Sequence, residues 1–196
     1  MTLRVDAIER RDQIMAVALT EFSRTGFHET SMSQIAESVG VTKPVLYQHF
    51  IGKRALYLEL LEALGHDLIT QIRRATNEIS DGRLQTERGM VTYFDWVVDN
   101  REAFILLFTG SARNDAEFAD AIRHIERQAA DAIAPLIIVN LSEAERRTMA
   151  FGLVGMAEAV SRHLIAQGTQ IDPEKLGTQL AGLAWAGLRS LGHHHD

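Results

Sequence analysis

Apolar residues recur at helical spacing along the first part of the chain. Ile14 and Phe22 belong to one face of a first helix, which we place at 6–25 and which Gly26 ends as its C-terminal stop. After Phe50 a stripe of leucines marks a longer helix that connects the two halves of the chain. The leucines of that stripe are Leu56, Leu60, Leu61, Leu64 and Leu68.

The second half of the chain has the same periodicity, interrupted by clear helix boundaries. Asp81-Gly82 breaks the connecting helix, Ser142 and Glu145 form a capping box, and Pro173 stands in the first turn of a last helix. We predict helices there at 84–100, 101–110, 114–138, 142–167 and 173–191.

Two short helices and a tight turn are predicted between these regions. The first begins with Ser31 as its N-cap, and Gln34 completes a capping box. Gly40 supplies the permissive backbone of a sharp turn, and Thr42 is the N-cap of the second helix. The pattern is that of a helix-turn-helix. The apolar face of the first helix consists of Met32, Ile35, Ala36 and Val39.

The second short helix leaves a chemically varied face outside the core. Pro44 fits its first turn, while Val41, Leu46 and Phe50 form the buried stripe. A face of this kind suits a helix laid in a DNA major groove, although a solvated surface with a partly buried tyrosine is the alternative. The outward residues are Lys43, Val45, Tyr47, Gln48 and His49.

The run IAESVGVTKPVLYQHFIGKRALYLELL, preceded by ALTEFSRTGFHETSM, resembles the DNA-binding domain of the TetR (tetracycline-repressor) family of bacterial regulators. The resemblance covers about 10–61 and includes the G-V-T turn, the LY-H-F core of the recognition helix and the lysine that opens the next helix. The rest of the chain is similar to the family only in length and helical character.

The resemblance implies an all-α fold. An N-terminal three-helix helix-turn-helix DNA-binding domain, 1–53, is joined by a long helix to a C-terminal helical ligand-binding and dimerisation domain, 54–196. It implies a homodimeric regulator, by default a repressor although activation is possible, that binds a palindromic operator and is released by a small-molecule effector. The apolar residues of the second half, described below, indicate that this effector is mainly apolar. The DNA-binding residues that it implies are Thr30, Ser31, Ser33, Lys43, Pro44, Val45, Tyr47, His49 and Lys53, the last as a phosphate-binding lysine.

The last two helices are unusually rich in small residues. A glycine inside a helix costs about 0.5–1 kcal/mol relative to alanine, so close helix packing is expected there, either within the chain or between subunits. A two-fold dimer would present its recognition helices to major grooves about 34 Å apart. We expect a dimer interface formed by Gly152, Gly155, Met156, Leu180, Leu183, Ala184, Gly187 and Leu188.

Large apolar side chains concentrate in the second half and could enclose an apolar ligand with a few orienting polar groups. Any one of them is more often a core residue than a ligand contact. The expected effector-binding residues are Tyr93, Trp96, Phe104, Phe108, Phe118, Ile122 and Met149.

Composition sets the class of protein. The 196 residues are 46% hydrophobic and 23% charged, as in a globular domain, and neither a membrane span nor a signal peptide is visible, so a cytoplasmic location is expected. The net charge of −6 is unusual for a DNA binder, but the segment through Leu56 holds seven basic against six acidic residues. The affinity for DNA must therefore come from a few specific contacts and from two copies of the chain that bind together.

Other chemistries have little support in the sequence. Cysteine is absent, no catalytic motif occurs, and the histidines lack metal-site spacing, so no enzyme activity, cofactor or metal is expected. The terminal run 193–195 of histidines is as typical of a tag remnant as of a metal site. Two alternatives stay open: a dimeric regulator without a ligand, and a helical adaptor or enzyme in which the helix-turn-helix is a packing unit.

Overall fold

A computed structural model describes residues 2–110, 114–138 and 140–191, and these residues form helices and no strands. The predicted all-α class is confirmed. The elements are α1 (Thr2–Glu29), α2 (Met32–Val39), α3 (Lys43–His49), α4 (Lys53–Thr76), α5 (Gly82–Asp99), α6 (Arg101–Phe104), a π-helical turn (Ile105–Thr109), α7 (Ala116–Ile133), a 3₁₀ turn (Ala134–Leu136), α8 (Glu143–Ala166) and α9 (Pro173–Leu191).

Helix boundaries follow the local signals of the sequence. Both predicted capping boxes are present, at Ser31 and at Ser142. Gly26 has φ 82° and ψ 166°, so it interrupts α1 where the stop was predicted, although one further helical turn follows it. Gly40 is left-handed with φ 78°. These glycines allow the chain to turn where a side chain would be strained.

Two predicted helices end earlier than expected. The helix predicted at 101–110 becomes a π-helical turn from Ile105 onward, which no glycine or proline in the sequence announces. The helix predicted at 114–138 ends at Ile133, because Pro135 lies in the 3₁₀ turn that follows and has no N–H to continue the α-helical pattern.

The chain divides into two compact units. The first comprises Met1–Leu64 and Glu102–Ile122, and the second comprises Gly65–Arg101 and Arg123–Asp196. This division does not coincide with the predicted boundary after Lys53, because the beginning of α4 packs with the helix-turn-helix side of the chain.

An aromatic cluster explains why the first unit extends beyond the helix-turn-helix. The Tyr57 ring of α4 lies 5.0 Å from Phe22, 5.1 Å from Phe27 and 4.7 Å from Phe118, measured between ring centroids. All four side chains are buried. Aromatic pairs in edge-on or tilted arrangements contribute about 0.5–1.5 kcal/mol beyond their burial.

The core of the second unit depends on close approach of α5 and α9. A Cβ atom added at Gly177 would lie 2.6 Å from the Val91 side chain and 2.7 Å from its backbone, so only glycine fits there. A smaller apolar cluster includes Ala130, Ala150 and Leu188. None of the helices in the described part of the chain combines the length and the hydrophobicity that a membrane span requires.

Candidate nucleic-acid interface

The turn between α2 and α3 is held by backbone hydrogen bonds. The N–H of Gly40 donates to the Glu37 carbonyl at 3.0 Å, and the N–H of Val41 donates to the Ala36 carbonyl at 2.9 Å. This pair of bonds is the Schellman arrangement, which satisfies the last carbonyls of α2. Thr42 is the N-cap of α3 as predicted, but its side chain makes no capping hydrogen bond.

The outer face of α3 is directed away from the core of its unit. Lys43, Pro44 and Tyr47 are exposed, Tyr47 to 49%. Val45 and His49 are half-buried. Leu46 and Phe50 are fully buried on the opposite side, at 0% and 1% exposure. The predicted orientation of α3 is therefore present, and the DNA contacts of these five side chains remain predictions.

The α2 residues differ from one another. The hydroxyl of Ser31 accepts the Gln34 N–H at 3.2 Å, so Ser31 fixes the start of α2. Ser33 is half-buried. Thr30 is 1% exposed, and its hydroxyl donates to the Gly26 carbonyl at 2.7 Å. The Thr30 side chain fastens the break in α1, and the DNA contact expected of Thr30 stays a prediction.

Lys53 makes contacts within the chain that were not predicted, and its phosphate contact stays a prediction. Its ammonium donates to the carbonyls of Phe27 at 2.7 Å, His28 at 3.0 Å and Thr30 at 2.7 Å. The nitrogen also lies 4.6 Å from the centroid of the Phe27 ring. An ammonium has three donors, and all three are occupied here. Lys53 therefore fixes the first turn of α4 to the end of α1, and a phosphate would have to displace one of these bonds.

Arg11 supports α3 from behind and was not predicted. Its guanidinium donates to the carbonyl of His49, the last residue of α3, at 2.8 Å and pairs with Glu59 of α4. The group also lies 4.3 Å from the centroid of the Phe50 ring. The last carbonyls of a helix have no partner within it, so a basic side chain there stabilises and orients the helix. The sequence shows that the last carbonyls of α3 need a donor, but it does not identify Arg11 as that donor, because 38 residues separate Arg11 from His49.

A second unpredicted cation joins α4 to the start of α7. Arg54 makes two hydrogen bonds to Asp115, at 2.8 and 3.0 Å, and one to Glu117 at 2.7 Å. Its guanidinium carbon lies 4.7 Å from the centroid of the Phe118 ring. The hydrogen bonds lower the pKa of Asp115 to about 2 and raise the pKa of Arg54.

The predicted effector-binding residues fall in both units. Tyr93, Trp96 and Met149 belong to the second unit, while Phe104, Phe108, Phe118 and Ile122 belong to the first. All except the half-buried Met149 are buried, as core residues of their own unit. One pocket lined by all seven therefore stays a prediction.

The second-unit aromatics have distinct polar surroundings. The indole N–H of Trp96 donates to Asp67 at 2.7 Å. The Tyr93 hydroxyl is buried without a hydrogen-bond partner among the described residues, and burial raises its pKa. Aromatic enrichment in the sequence gave no sign of this difference.

The predicted dimer residues separate into exposed and packed groups. Leu183 is 64% exposed, and a Cβ atom added at Gly152 or Gly155 would meet nothing within 4 Å. Gly187 is exposed too, whereas Met156, Leu180 and Ala184 are half-buried. Leu188 is only 7% exposed and packs in the core of the second unit, so its side chain is covered within its own chain, and its place in the interface stays a prediction.

No group of three or more His, Cys, Asp or Glu residues that could hold a metal ion occurs in the part of the chain that the structure describes. The terminal histidines at 193–195 lie outside the described residues.

Two family models match this chain. The model described as "Bacterial regulatory proteins, tetR family" matches residues 14–60. The model described as "Tetracyclin repressor-like, C-terminal domain" matches residues 83–187.

Relatives and solved structures extend the similarity to nearly the full chain. The HTH-type transcriptional activator FasR of Mycolicibacterium smegmatis is 30% identical over 187 residues, which are 94% of this chain and 85% of that protein. A TetR-like transcriptional regulator from Rhodococcus sp. RHA1 has 26% identity and a TM-score of 0.75, covering 92% and 96% of the two chains. FadR from Bacillus subtilis, solved in complex with stearoyl-CoA, has 16% identity and a TM-score of 0.77, covering 89% and 97%.

Proposed function

This chain belongs to the TetR family of bacterial transcriptional regulators, and we propose that it binds a palindromic operator as a homodimer through the outer face of α3. The observation that supports this most is the exposed face beginning at Lys43, on a helix whose other side is fully buried. Arg11 and Lys53 hold the flanking helix ends, so this face is presented in a fixed orientation.

Within that face, the side chains divide by chemistry. Lys43 and Val45, together with Ser33 of α2, suit base edges, Val45 through a thymine methyl group. Tyr47 suits a phosphate oxygen, which its hydroxyl can reach as a donor. Because Lys53 is occupied by carbonyls, we assign it to positioning α4 and not to the primary phosphate contact.

The homodimer is supported by the uncovered small residues of α8 and α9. Gly152 and Gly155 of α8 and Gly182 of α9 have no neighbour within 4 Å of an added Cβ atom. Packing within the chain therefore does not explain these three glycines, in contrast to Gly177. A partner helix that approaches closely would explain them and would also cover Leu183.

The effector proposal is coarser. A mainly apolar small molecule would bind better to a conformation in which α4 is pivoted and the two recognition helices no longer match the operator. A protein of the same fold was solved with stearoyl-CoA, so an apolar effector is compatible with the fold. Repression is the default for a dimer bound over a promoter. Since one relative is named an activator, whether this protein represses or activates transcription must be measured.

The contacts are tested by fluorescence anisotropy with duplexes from the DNA upstream of the gene, at several salt concentrations. Lys43→Ala and Tyr47→Ala should weaken binding, and binding of the wild type should weaken as salt is raised. Arg74→Ala is the matched control, since it removes an exposed positive charge from the end of α4. Equal affinity of all four proteins would reject the assignment of these contacts.

A further inference from the structure

A partly open cavity of about 150 Å³ lies in the first unit. It is bounded by the C-terminal part of α1, by α4 and by the π-helical turn that follows α6. Its walls include Phe22, Ser23, Phe27, Tyr57, Ile105 and Leu106. Tyr57, Ile105 and Leu106 lie in the predicted second domain, 54–196, and the other three lie in the predicted first domain. None of the six belongs to the predicted effector-binding set.

The cavity has the size and lining of a site for a single aromatic ring. Five of the six named wall residues are large apolar or aromatic side chains. An apolar cavity of about this volume accommodates benzene. If the cavity is empty, the side chains that line it lose dispersion contacts, and such voids are few in protein interiors.

One polar group points to the chemistry of the ligand. Tyr57 lines the cavity and is only 1% exposed, so its hydroxyl is the polar group of a buried side chain at this site. Burial raises the pKa of Tyr57 to about 12, so the hydroxyl stays a neutral donor at physiological pH. The Ser23 hydroxyl donates to the Thr20 carbonyl at 3.0 Å.

We propose that this cavity binds a monocyclic aromatic molecule that carries one hydroxyl or carbonyl oxygen, with that oxygen accepting a hydrogen bond from Tyr57. The π-helical turn Ile105–Thr109 forms one wall, and π-helical segments in proteins are frequent at functional sites. The site lies in the unit that carries the helix-turn-helix, which also holds four of the predicted effector-binding residues, Phe104, Phe108, Phe118 and Ile122.

The position of the cavity connects it to the base of the DNA-binding helices. Phe27 forms part of the cavity wall. Its ring also contacts the Lys53 ammonium, whose nitrogen lies 4.6 Å from the ring centroid. The Phe27 carbonyl accepts one of the Lys53 hydrogen bonds. A ligand that shifts Phe27 would therefore disturb the contact that fixes the start of α4.

The test measures binding of phenol and of toluene to the full chain by thermal shift and by titration calorimetry, without DNA. Both probes should bind the wild type and raise its melting temperature, because a ligand of the native state stabilises it. Tyr57→Phe should weaken phenol about threefold to tenfold, the usual range for one hydrogen bond, and leave toluene unchanged.

Two variants fill the cavity from different walls, Ser23→Leu and Ile105→Trp, and each should lose both probes. Ser80→Leu is the matched control on an exposed loop and should bind like the wild type. Circular dichroism shows whether each filling variant folds. If one does not fold, probe binding by the other filling variant and by Tyr57→Phe tests the proposal. Absence of binding to the wild type at the solubility limit, or undiminished binding to a folded filling variant, would overturn the proposal.

Discussion

Replacement of Lys53 distinguishes most clearly between a positioning role and a phosphate contact. Lys53→Met keeps most of the aliphatic side chain and removes the ammonium that donates to the carbonyls of Phe27, His28 and Thr30. A hydrogen bond that involves a charged group contributes about 1.5–3 kcal/mol. The three contributions do not add fully, because Lys53 is half-buried, water can reach the freed carbonyls, and the free side chain regains entropy.

We therefore expect Lys53→Met to lower the free energy of unfolding by about 2–3 kcal/mol, which includes a smaller loss from the contact with the Phe27 ring. In a chain of this length, about 1 kcal/mol changes the melting temperature by roughly 2–4 °C, so the expected decrease is about 4–12 °C. Urea unfolding followed by circular dichroism measures the free energy directly.

Lys43→Met is the matched control, because Lys43 is an exposed lysine at the start of α3. Its free energy of unfolding should stay within about 0.5 kcal/mol of the wild type. If Lys53→Met were equally neutral, its three hydrogen bonds would not be formed in solution, and the original interpretation of Lys53 as a phosphate contact would be restored.

Three further predictions concern Arg11, the dimer surface and Asp115. Arg11→Ala should lower the free energy of unfolding by about 1–3 kcal/mol and weaken operator binding, because the His49 carbonyl at the end of α3 loses its donor. Arg11→Lys should recover part of both losses. An unchanged anisotropy titration for Arg11→Ala would contradict the orienting role. Gly155→Arg should convert the dimer to a monomer in sedimentation velocity without unfolding it, since nothing lies within 4 Å of an added Cβ; a persistent dimer would remove α8 from the interface. Arg54 lowers the folded-state pKa of Asp115 to about 2, so the stability that this carboxylate contributes is present above its unfolded pKa of about 3.9 and is lost as pH falls toward 2. The loss of stability caused by Asp115→Asn, measured by urea unfolding, should therefore shrink over that pH interval. A difference that does not change with pH would argue against the ion pair of Arg54 and Asp115.

Local signals in the sequence predicted the parts of the fold that depend on neighbouring residues. The capping boxes, the turn at Gly40 and the break at Gly26 all depend on residues within one or two turns of each other, and all are present. The outward orientation of α3 also followed from spacing alone, since Leu46 and Phe50 are buried.

The structure adds contacts that were not predicted from the sequence, both between neighbouring residues and between residues distant in the chain. Lys53 and Thr30 were assigned to DNA because of their place in the family motif, but the carbonyls at the break in α1 take their donors. Leu188 was assigned to the interface from composition, which does not distinguish the packed face of α9 from its exposed face. Long-range hydrogen bonds and helix rotation have no local sequence pattern, so only the three-dimensional structure shows these contacts.

The candidate sites show the same limit. Aromatic enrichment indicated residues that could line a pocket, yet the cavity of the first unit has Phe22, Phe27 and Tyr57 in its wall, none of which was selected. These residues lie near the N-terminal motif, where the sequence was interpreted as a brace for DNA-binding helices. Whether an aromatic side chain lines a cavity or fills a core depends on the packing of other helices, which periodicity does not reveal.

Hydroxyl-radical footprinting of the wild-type protein on the DNA upstream of its gene tests the central claim most directly. Two recognition helices in successive major grooves should protect two related half-sites whose centres are about 34 Å, or one turn of B-form DNA, apart or a whole-turn multiple of it. The protection should weaken as salt is raised and should be lost in Tyr47→Ala at the same protein concentration. A footprint with a single half-site, or one that Tyr47→Ala reproduces unchanged, would contradict binding by a dimer through the outer face of α3.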